Sequence, residues 1–242
     1  MKKSALFIIS LIIISAGYAQ TDNKNVVKIF PTSFLFGKAT LGYERVLNDN
    51  SSFTLNIGLP SGISPSKYVS FEETEWLNLI DGKLDGFLLM PGYRFNFSKK
   101  GAPLGFYIEP YLKYEEFSTS WQAEFIDDEN ERFLSSFDGS YSGLGVGIQM
   151  GFLFLIGDVV SIEWSFFGLE AKTPNAEIKY TDLSGGADID DVYVEIAENF
   201  SSDIPVIGDK IEFEKGSNYV KGIASDFILP GFRSAISIGI AF

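Results

Sequence analysis

The fold is decided by residues 144–154, which read Leu-Gly-Val-Gly-Ile-Gln-Met-Gly-Phe-Leu-Phe. The even-numbered positions carry large apolar side chains, whereas the odd-numbered positions up to 151 carry glycine or glutamine. Alternation with a period of two is typical of a β-strand that has one apolar and one polar face. The stretch therefore predicts a strand rather than a helix.

The same alternation predicts seven more strands, which makes eight in total. They lie at residues 26–36, around 41–43, and at 53–59, 87–97, 106–114, 160–166 and 232–242. The first is a weaker strand, since Pro31 lies inside it and both of its faces are rather apolar. A tilted strand of about 9–11 residues is long enough to cross a bilayer.

The predicted strands are joined by connections that alternate in length. Residues 48–52, 98–103 and 157–158 make short connections, whereas 61–85, 118–139 and 171–228 make long ones. Short turns at one end and long loops at the other are typical of an up-and-down membrane barrel. The sequence therefore predicts an all-β fold, a closed antiparallel up-and-down transmembrane β-barrel of eight strands. A hairpin around Glu214–Asn218 would make ten strands if it joined the wall.

The N-terminus has the pattern of a secretory signal peptide. Lys2 and Lys3 precede an apolar run at residues 5–14, and Gly17 and Ala19 supply the small residues of a cleavage site. We expect residues 1–19 to be cleaved and residues 20–242 to form the barrel domain. Cysteine is absent from the sequence, and export without disulfides fits a bacterial envelope. The expected location is the bacterial outer membrane, reached through the secretory pathway.

The excess negative charge is confined to the long connections. The chain has a net charge of −13, which becomes −15 once Lys2 and Lys3 are removed with the signal peptide. Residues 61–85, 118–139 and 171–228 contribute −3, −5 and −7 by count of their acidic and basic residues, so the rest of the mature chain is neutral. One acidic rim is therefore expected at the external end. This balance disfavours nucleic acid as a partner.

Charged residues also occupy the polar faces of the predicted strands. The expected lumen charge network comprises Lys28, Glu44, Arg94, Glu109, Lys113, Glu163 and Arg233. The interior of an eight-stranded barrel is just wide enough to be filled by side chains. Unpaired charges there are costly to desolvate, so the network is expected to consist of paired groups.

Two loops have features of their own. Ser70 and Glu73 have the spacing of a capping box, which predicts a short helix ending near Gly82. Residues 118–139 predict a hairpin that extends above the membrane with its tip at 127–130, and such a sheet edge is suited to strand addition by a partner. One or two short helices are expected in the long loops.

Several kinds of chemistry are excluded by residue types. The chain has no histidine and no cysteine, which excludes Ser-His and Cys-His nucleophiles and the usual zinc sites. We expect neither enzymatic activity nor a cofactor. Carboxylates at 188, 190 and 191 or at 127–129 have the oxygen ligands that calcium prefers. The alternative is a solvated acidic surface, bridged by divalent ions to lipopolysaccharide.

Four short motifs resemble the small outer-membrane β-barrel family common in the Bacteroidota, which is similar in architecture to the OmpX and OmpA barrels. The motifs are residues 36–45 (FGKATLGYER), 91–95 (PGYRF), 107–111 (YIEPY) and 238–242 (IGIAF). The resemblance implies outer-membrane lipid and lipopolysaccharide as surroundings. Ile238, Ile240 and Phe242 resemble the terminal signal read by the barrel-assembly machinery.

Three functions remain open on the sequence. The first is a non-enzymatic barrel that stabilises the envelope or docks an outer-membrane protein through its acidic external loops. The second is a narrow channel or a transport path for a small molecule. The third is a soluble lipocalin-like binder, with apolar side chains turned inward around a ligand.

Overall fold

The computed structural model describes residues 24–61, 77–126, 132–194 and 210–242. Ten strands in these ranges form one sheet with antiparallel pairing throughout. They are β1 (Asn25–Phe30), β2 (Lys38–Asn48), β3 (Ser51–Pro60), β4 (Leu77–Asn96), β5 (Gly105–Ile126), β6 (Arg132–Ile156), β7 (Val160–Asp182), β8 (Ile211–Lys215), β9 (Tyr219–Ala224) and β10 (Leu229–Ala241).

Eight of these strands close into a ring. Strands β1 to β7 pair in chain order, and β10 pairs with both β1 and β7. Ile240 shows the closure directly, because it lies opposite Val27 of β1 on one side and Val160 of β7 on the other. Closure removes the free edges that an open sheet would present. The predicted closed barrel of eight strands is confirmed.

The β8–β9 hairpin, predicted around Glu214–Asn218, enlarges the sheet without entering the ring. Strand β10 occupies the edge of β7 as far as Lys172, and β9 pairs with β7 beyond that point, from Ala176 to Thr181. Both strands therefore use the same edge of β7 at different heights. The sheet has ten strands, whereas the closed ring has eight.

The wall is much taller on one side than on the other. Strands β4 to β7 contain 20 to 25 residues, whereas β1, β2, β3 and β10 contain 6 to 13. Strands β4 to β7 continue beyond the ring, where β9 and β8 join the sheet beside β7. We call this part the outer extension (residues 77–86, 116–126, 132–142, 173–182, 211–215 and 219–224). It contains the predicted hairpin of β5 and β6, whose predicted tip at 127–130 lies outside the described residues.

The predicted strand at 26–36 is wrong in its second half. Strand β1 ends at Phe30, and Pro31–Phe36 form a 3-10 helix that ends at Gly37, where φ is 67°. Proline has no backbone N–H and a fixed φ, which suits the first turn of a helix and interrupts a strand ladder. Gly37 takes the left-handed conformation that glycine adopts without steric cost.

The predicted helix over residues 70–82 is also wrong where it can be compared. Residues 77–82 belong to β4 and pair with β5, from Leu77 opposite Phe125 to Gly82 opposite Trp121. Backbone hydrogen bonds to the long β5 stabilise these residues as a strand more than a local capping interaction would stabilise them as a helix. The capping-box residues Ser70 and Glu73 lie outside the described residues. Short helical segments are present instead at 31–36 and 189–194.

No helix in the described ranges is both long enough and apolar enough to span a membrane.

The tight turns lie at the end of the ring opposite the outer extension. The predicted turn at residues 157–158 joins β6 to β7, and Gly157 and Asp158 both have positive φ, of 61° and 58°. Positive φ at both central residues defines the type I′ turn, whose twist matches that of a β-hairpin. This turn, residues 49–50 and residues 97–104 make the three short connections expected from the sequence.

Ring closure should be sensitive to volume at Gly239. A Cβ there would lie 2.2 Å from the carbonyl oxygen of Val27 and 2.7 Å from the hydroxyl of Ser161. We expect Gly239→Val to lower the free energy of unfolding by roughly 1–3 kcal/mol through overpacking at the β1–β10 seam, measured by urea denaturation of the refolded barrel.

A control for this variant lies on the same face of β10. Ser237 is buried and its hydroxyl has no hydrogen-bond partner among the described residues, so Ser237→Ala should change stability by less than about 0.5 kcal/mol. Equal effects of the two substitutions would contradict the assignment of Gly239 to a close contact.

Candidate functional site

In the ring, the outward side chains are mainly apolar, whereas the inward side chains are mainly polar and also include a small buried cluster of Leu88, Met90 and Tyr111. The side chains of Val146 and Trp164 are 57% and 53% exposed, whereas Glu44 and Arg94 are 0% and 2% exposed. Alternate residues of a strand face opposite sides of the sheet, so the sequence pattern becomes an apolar exterior and a charged interior. The lipocalin-like alternative requires the reverse arrangement and is therefore wrong for the ring.

Five charged residues meet in the middle of the ring, and we call them the central ion cluster: Lys28, Glu44, Arg94, Glu109 and Glu163. The Arg94 guanidinium lies 2.9 Å from Glu44 Oε2, 2.6 Å from Glu109 Oε2 and 2.7 Å from Glu163 Oε1. Lys28 Nζ pairs with both Glu44 and Glu163. A guanidinium suits this position because its donors form a planar fork that can serve several carboxylates.

Neutral side chains complete the hydrogen bonding of the central ion cluster. The Tyr107 hydroxyl donates to Glu163 Oε1 at 2.6 Å, and the Thr54 hydroxyl donates to Glu109 Oε1 at 2.9 Å. The Tyr107 ring lies against Arg94, with 3.6 Å from the guanidinium carbon to the ring centroid. Buried charges are tolerated when such bonds replace the lost hydration. The cluster thereby joins β1, β2, β3, β4, β5 and β7 across the lumen.

A second set of ion pairs lies nearer the outer extension, and we call it the upper ion square: Lys113, Glu115, Glu170 and Lys172. Lys113 Nζ is 3.1 Å from Glu115 and 3.0 Å from Glu170, and Lys172 Nζ is 2.8 Å and 3.0 Å from the same two carboxylates. Each charge therefore has two opposite neighbours. The Tyr111 hydroxyl adds a hydrogen bond of 3.0 Å to Glu170.

The structure separates the seven predicted network residues into three places. Lys28, Glu44, Arg94, Glu109 and Glu163 form the central ion cluster, and Lys113 lies in the upper ion square. Arg233 belongs to neither, because its Nε donates to Gln149 Oε1 at 3.0 Å and no ion pair of it occurs within the described residues.

Sequence reasoning missed Glu170 and Lys172, because the predicted strand ended at residue 166 and residues 171–228 were assigned to a long connection, whereas β7 continues to Asp182 and contains a β-bulge. Gly151 lies opposite Ser165 and Met150 lies opposite Phe167, so Phe166 is an extra residue. The bulge shifts the alternation by one position. Inward positions are odd-numbered up to Ser165 and even-numbered from Gly168, which turns Glu170 and Lys172 into the lumen.

The predicted assembly signal lies at the end of β10. Ile238 and Ile240 are exposed on the outer face of the ring. The backbone of Phe242 exchanges two hydrogen bonds with Asn25, each of 2.9 Å. Recognition of this segment by the barrel-assembly machinery stays a prediction.

The outer extension reverses the polarity of the ring. On β5 the inward position Glu115 is followed on the same face by Phe117, Thr119 and Trp121, whereas the opposite face carries Glu116 and then Ser118, Ser120 and Gln122. Strand β7 does the same, with Ile178 and Tyr180 inward and Glu177 and Lys179 outward. The period of two in residues 115–122 could have revealed this change from the sequence.

Two cavities lie along the concave face of the outer extension. The larger, of about 440 Å³, is lined by residues that include Gly86, Phe117, Tyr141 and Ala176. The smaller, of about 260 Å³, follows along the same strands and is lined mainly by apolar and aromatic residues. Its side chains include Trp121, Phe137, Ile178, Tyr180 and Val220. The rings of Phe137 and Tyr180 meet edge to face with centroids 5.2 Å apart.

Asp188 and Asp190, in the connection between β7 and β8, make contacts that stabilise the local structure. The Asp188 carboxylate accepts the backbone N–H of Asp190 at 2.9 Å, and Asp190 pairs with Lys215. No group of three potential metal ligands occurs within the described residues. The other set considered for calcium, residues 127–129, lies outside them.

Asp182 stabilises the turn that follows β7. Burial raises the pKa of its carboxyl group, but hydrogen bonds from the backbone N–H groups of Ala187, Ser184 and Gly185 and from the Ser184 hydroxyl outweigh that effect. The pKa of Asp182 therefore lies below its ordinary value, and its charged form holds residues 182–187 together.

No protein-family model and no curated protein sequence matches the chain. Among solved structures, the chain is similar to a major outer membrane protein from Thermus thermophilus. The identity is 11% and the TM-score is 0.34, with 90% of this chain and 99% of that chain covered. A TM-score this low supports no conclusion about function.

The central ion cluster should depend on Arg94. Its removal leaves three buried glutamates with Lys28 as their one remaining cationic partner in the cluster. Breaking a buried ion network costs about 3–5 kcal/mol, so Arg94→Ala should lower the free energy of unfolding by this amount, as measured by urea denaturation.

Arg45 offers a matched control on the surface. Its guanidinium is exposed and donates to Asn25 Oδ1 at 2.7 Å. Arg45→Ala should cost less than about 1 kcal/mol. A comparably small loss for Arg94→Ala would show that the cluster does not contribute to the stability of the ring.

Proposed function

We propose that the chain is a non-enzymatic barrel of the bacterial outer membrane, exported through the secretory pathway, whose outer extension docks a partner protein. The observation that supports this function best is the reversal of polarity along the tall strands. A sheet with an apolar convex face below and a polar convex face above fits a protein that passes from lipid into water. The barrel then serves as the anchor and the extension as the working surface.

The height of the apolar band agrees with a bilayer. On β6 the outward positions from Leu144 to Ile156 are all apolar. At about 3.3 Å per residue and a tilt of about 40°, this segment rises roughly 30 Å. A hydrocarbon core is about 30 Å thick. The next outward position above Leu144 is Ser142, which falls at the proposed lipid boundary.

The charged interior favours an anchoring role over a channel. Side chains from five of the eight ring strands form the central ion cluster across the lumen, and Thr54 of a sixth strand hydrogen-bonds to it. An eight-stranded barrel has little interior space beyond what its side chains fill. Solute movement would require these ion pairs to separate, at the cost of exposing unpaired buried charges.

The edge of the outer extension supports docking by strand addition. Strand β8 pairs with β9 on one side and with no other strand among those described. Glu212 and Glu214 are exposed on this strand. An exposed edge offers backbone hydrogen bonds to an incoming strand, and these carboxylates favour a basic one. We infer that the partner is an outer-membrane protein with a cationic edge strand or loop.

The lipid boundary can be tested with arginine at two positions of β6. Ile148 and Ser142 lie on the same face six residues apart, and Ile148 is near the middle of the apolar band. Arginine on the lipid face costs about 2–4 kcal/mol at mid-depth and about 0–1 kcal/mol near the interface. We expect Ile148→Arg to reduce the folding free energy into phospholipid vesicles clearly and Ser142→Arg to leave it nearly unchanged. Equal costs at both positions would contradict the proposed boundary.

Docking can be tested by purification from native membranes in mild detergent, followed by mass spectrometry. We expect a stoichiometric partner with the wild-type chain and its loss after Glu212→Lys with Glu214→Lys, because the basic edge would repel a basic strand. A barrel that purifies alone would overturn the docking role.

The control for docking carries the same charge change elsewhere on the convex face. Glu116→Lys with Asp138→Lys alters exposed residues of β5 and β6, away from the β8 edge. This variant should keep the partner. Equal loss from both double variants would indicate a general charge effect rather than docking at β8.

A further inference from the structure

Lys38 is a buried cation that has no carboxylate partner among the described residues. Its side chain points into the mouth of the ring, the residue is 7% exposed, and no ion pair of it occurs within the described part of the chain. Its Nζ lies 4.0 Å from the centroid of the Phe117 ring. Burial of an ammonium group is costly unless an opposite charge or a set of hydrogen-bond acceptors compensates it.

The charged neighbours of Lys38 do not compensate it. The groups that act on it most strongly are Glu115, Lys113, Arg233 and Lys172, which are one carboxylate and three cations. Glu115 is already shared between Lys113 at 3.1 Å and Lys172 at 2.8 Å. Glu170 pairs with the same two lysines, so two carboxylates lie among four cations there (Lys38, Lys113, Lys172 and Arg233), although the chain as a whole is acidic.

A cavity of mixed polarity begins beside this cation; Lys38 is not one of its lining residues, which include Phe117 and Tyr141 as well as Asp85, Glu116 and Glu177. Phe117 and Gly86 line the larger cavity, and a Cβ built on Gly86 would lie 2.5 Å from Lys38 Cγ. From there the inward face of β5 leads to Trp121 in the smaller cavity, four residues farther, or about 13 Å at roughly 3.3 Å per residue. Lys38 therefore lies beside the base of a cavity of mixed polarity, and the smaller, mainly apolar cavity follows above it.

We propose that the concave face of the outer extension binds an amphipathic carboxylate. The carboxylate group pairs with Lys38, and the hydrocarbon body lies against the side chains of Trp121, Phe137, Ile178, Tyr180 and Val220. Small-molecule sites combine an apolar lining with a few well-placed polar groups, in volumes of about 300–1,000 Å³. The site is separate from the β8 edge, so this proposal does not depend on the docking role.

The test uses purified full-length chain in lipid nanodiscs with radiolabelled dodecanoate and, in parallel, dodecanol. Ala176 lies on the inward face of β7 and lines the larger cavity, so Ala176→Trp fills the site and gives the background due to the lipid. We expect wild-type nanodiscs to retain more dodecanoate than the Ala176→Trp nanodiscs.

The head-group contact is tested at Lys38. Lys38→Met keeps most of the side-chain volume and removes the charge, so it should weaken dodecanoate binding about tenfold, the effect of losing one charged hydrogen bond. It should leave dodecanol binding unchanged. Lys38→Arg should retain most of the affinity for dodecanoate. The control Lys83→Met removes an exposed lysine that pairs with Asp85 at the same end and should bind like the wild type.

Two results would overturn the proposal. One is equal retention of dodecanoate by the wild type and by Ala176→Trp, with both shown to be folded by their shift on a gel after boiling. The other is equal dodecanoate affinity in Lys38→Met and Lys83→Met. Neither result would bear on docking, because a partner is absent from this assay.

Discussion

The ring depends on the neutralisation of charge inside a closed sheet. Once β10 pairs with both β1 and β7, the inward residues have little room and little water, so a buried charge is costly unless it finds a partner across the lumen. Arg94 meets this requirement by contacting three glutamates that come from β2, β5 and β7. The same bonds that satisfy the buried charges therefore hold distant parts of the wall together.

Strands β4 to β7 keep the same backbone pattern in the ring and in the outer extension. A strand always offers two faces, and in this chain the apolar face is the outer one in the ring and the inner one in the outer extension. The change occurs near Glu115 and Glu116 on β5, where the upper ion square ends and the larger cavity begins. One continuous hairpin thus provides both the wall of the proposed membrane anchor and the lining of a cavity above it.

The unequal wall height gives the two proposed sites their positions. Because β10 leaves the edge of β7 at Lys172, the next part of that edge is available to β9, and β8 becomes the border of the sheet. The docking edge lies at this border, whereas the proposed ligand lies on the concave face between β4 and β9. The β8–β9 hairpin therefore contributes Val220 to the cavity and Glu212 to the edge.

The sequence by itself determined the features that depend on neighbouring residues. The period of two located the eight ring strands, the pair Gly157-Asp158 identified its turn, and the polar faces named the residues of the central ion cluster. Tertiary structure decided whatever depends on a distant partner. Pairing with β5 made residues 77–82 a strand despite a helix signal, and the edge of β7 taken by β10 kept the β8–β9 hairpin out of the ring. The bulge at Phe166 placed Glu170 in the lumen, because a single extra residue reverses the alternation that the first part of β7 follows.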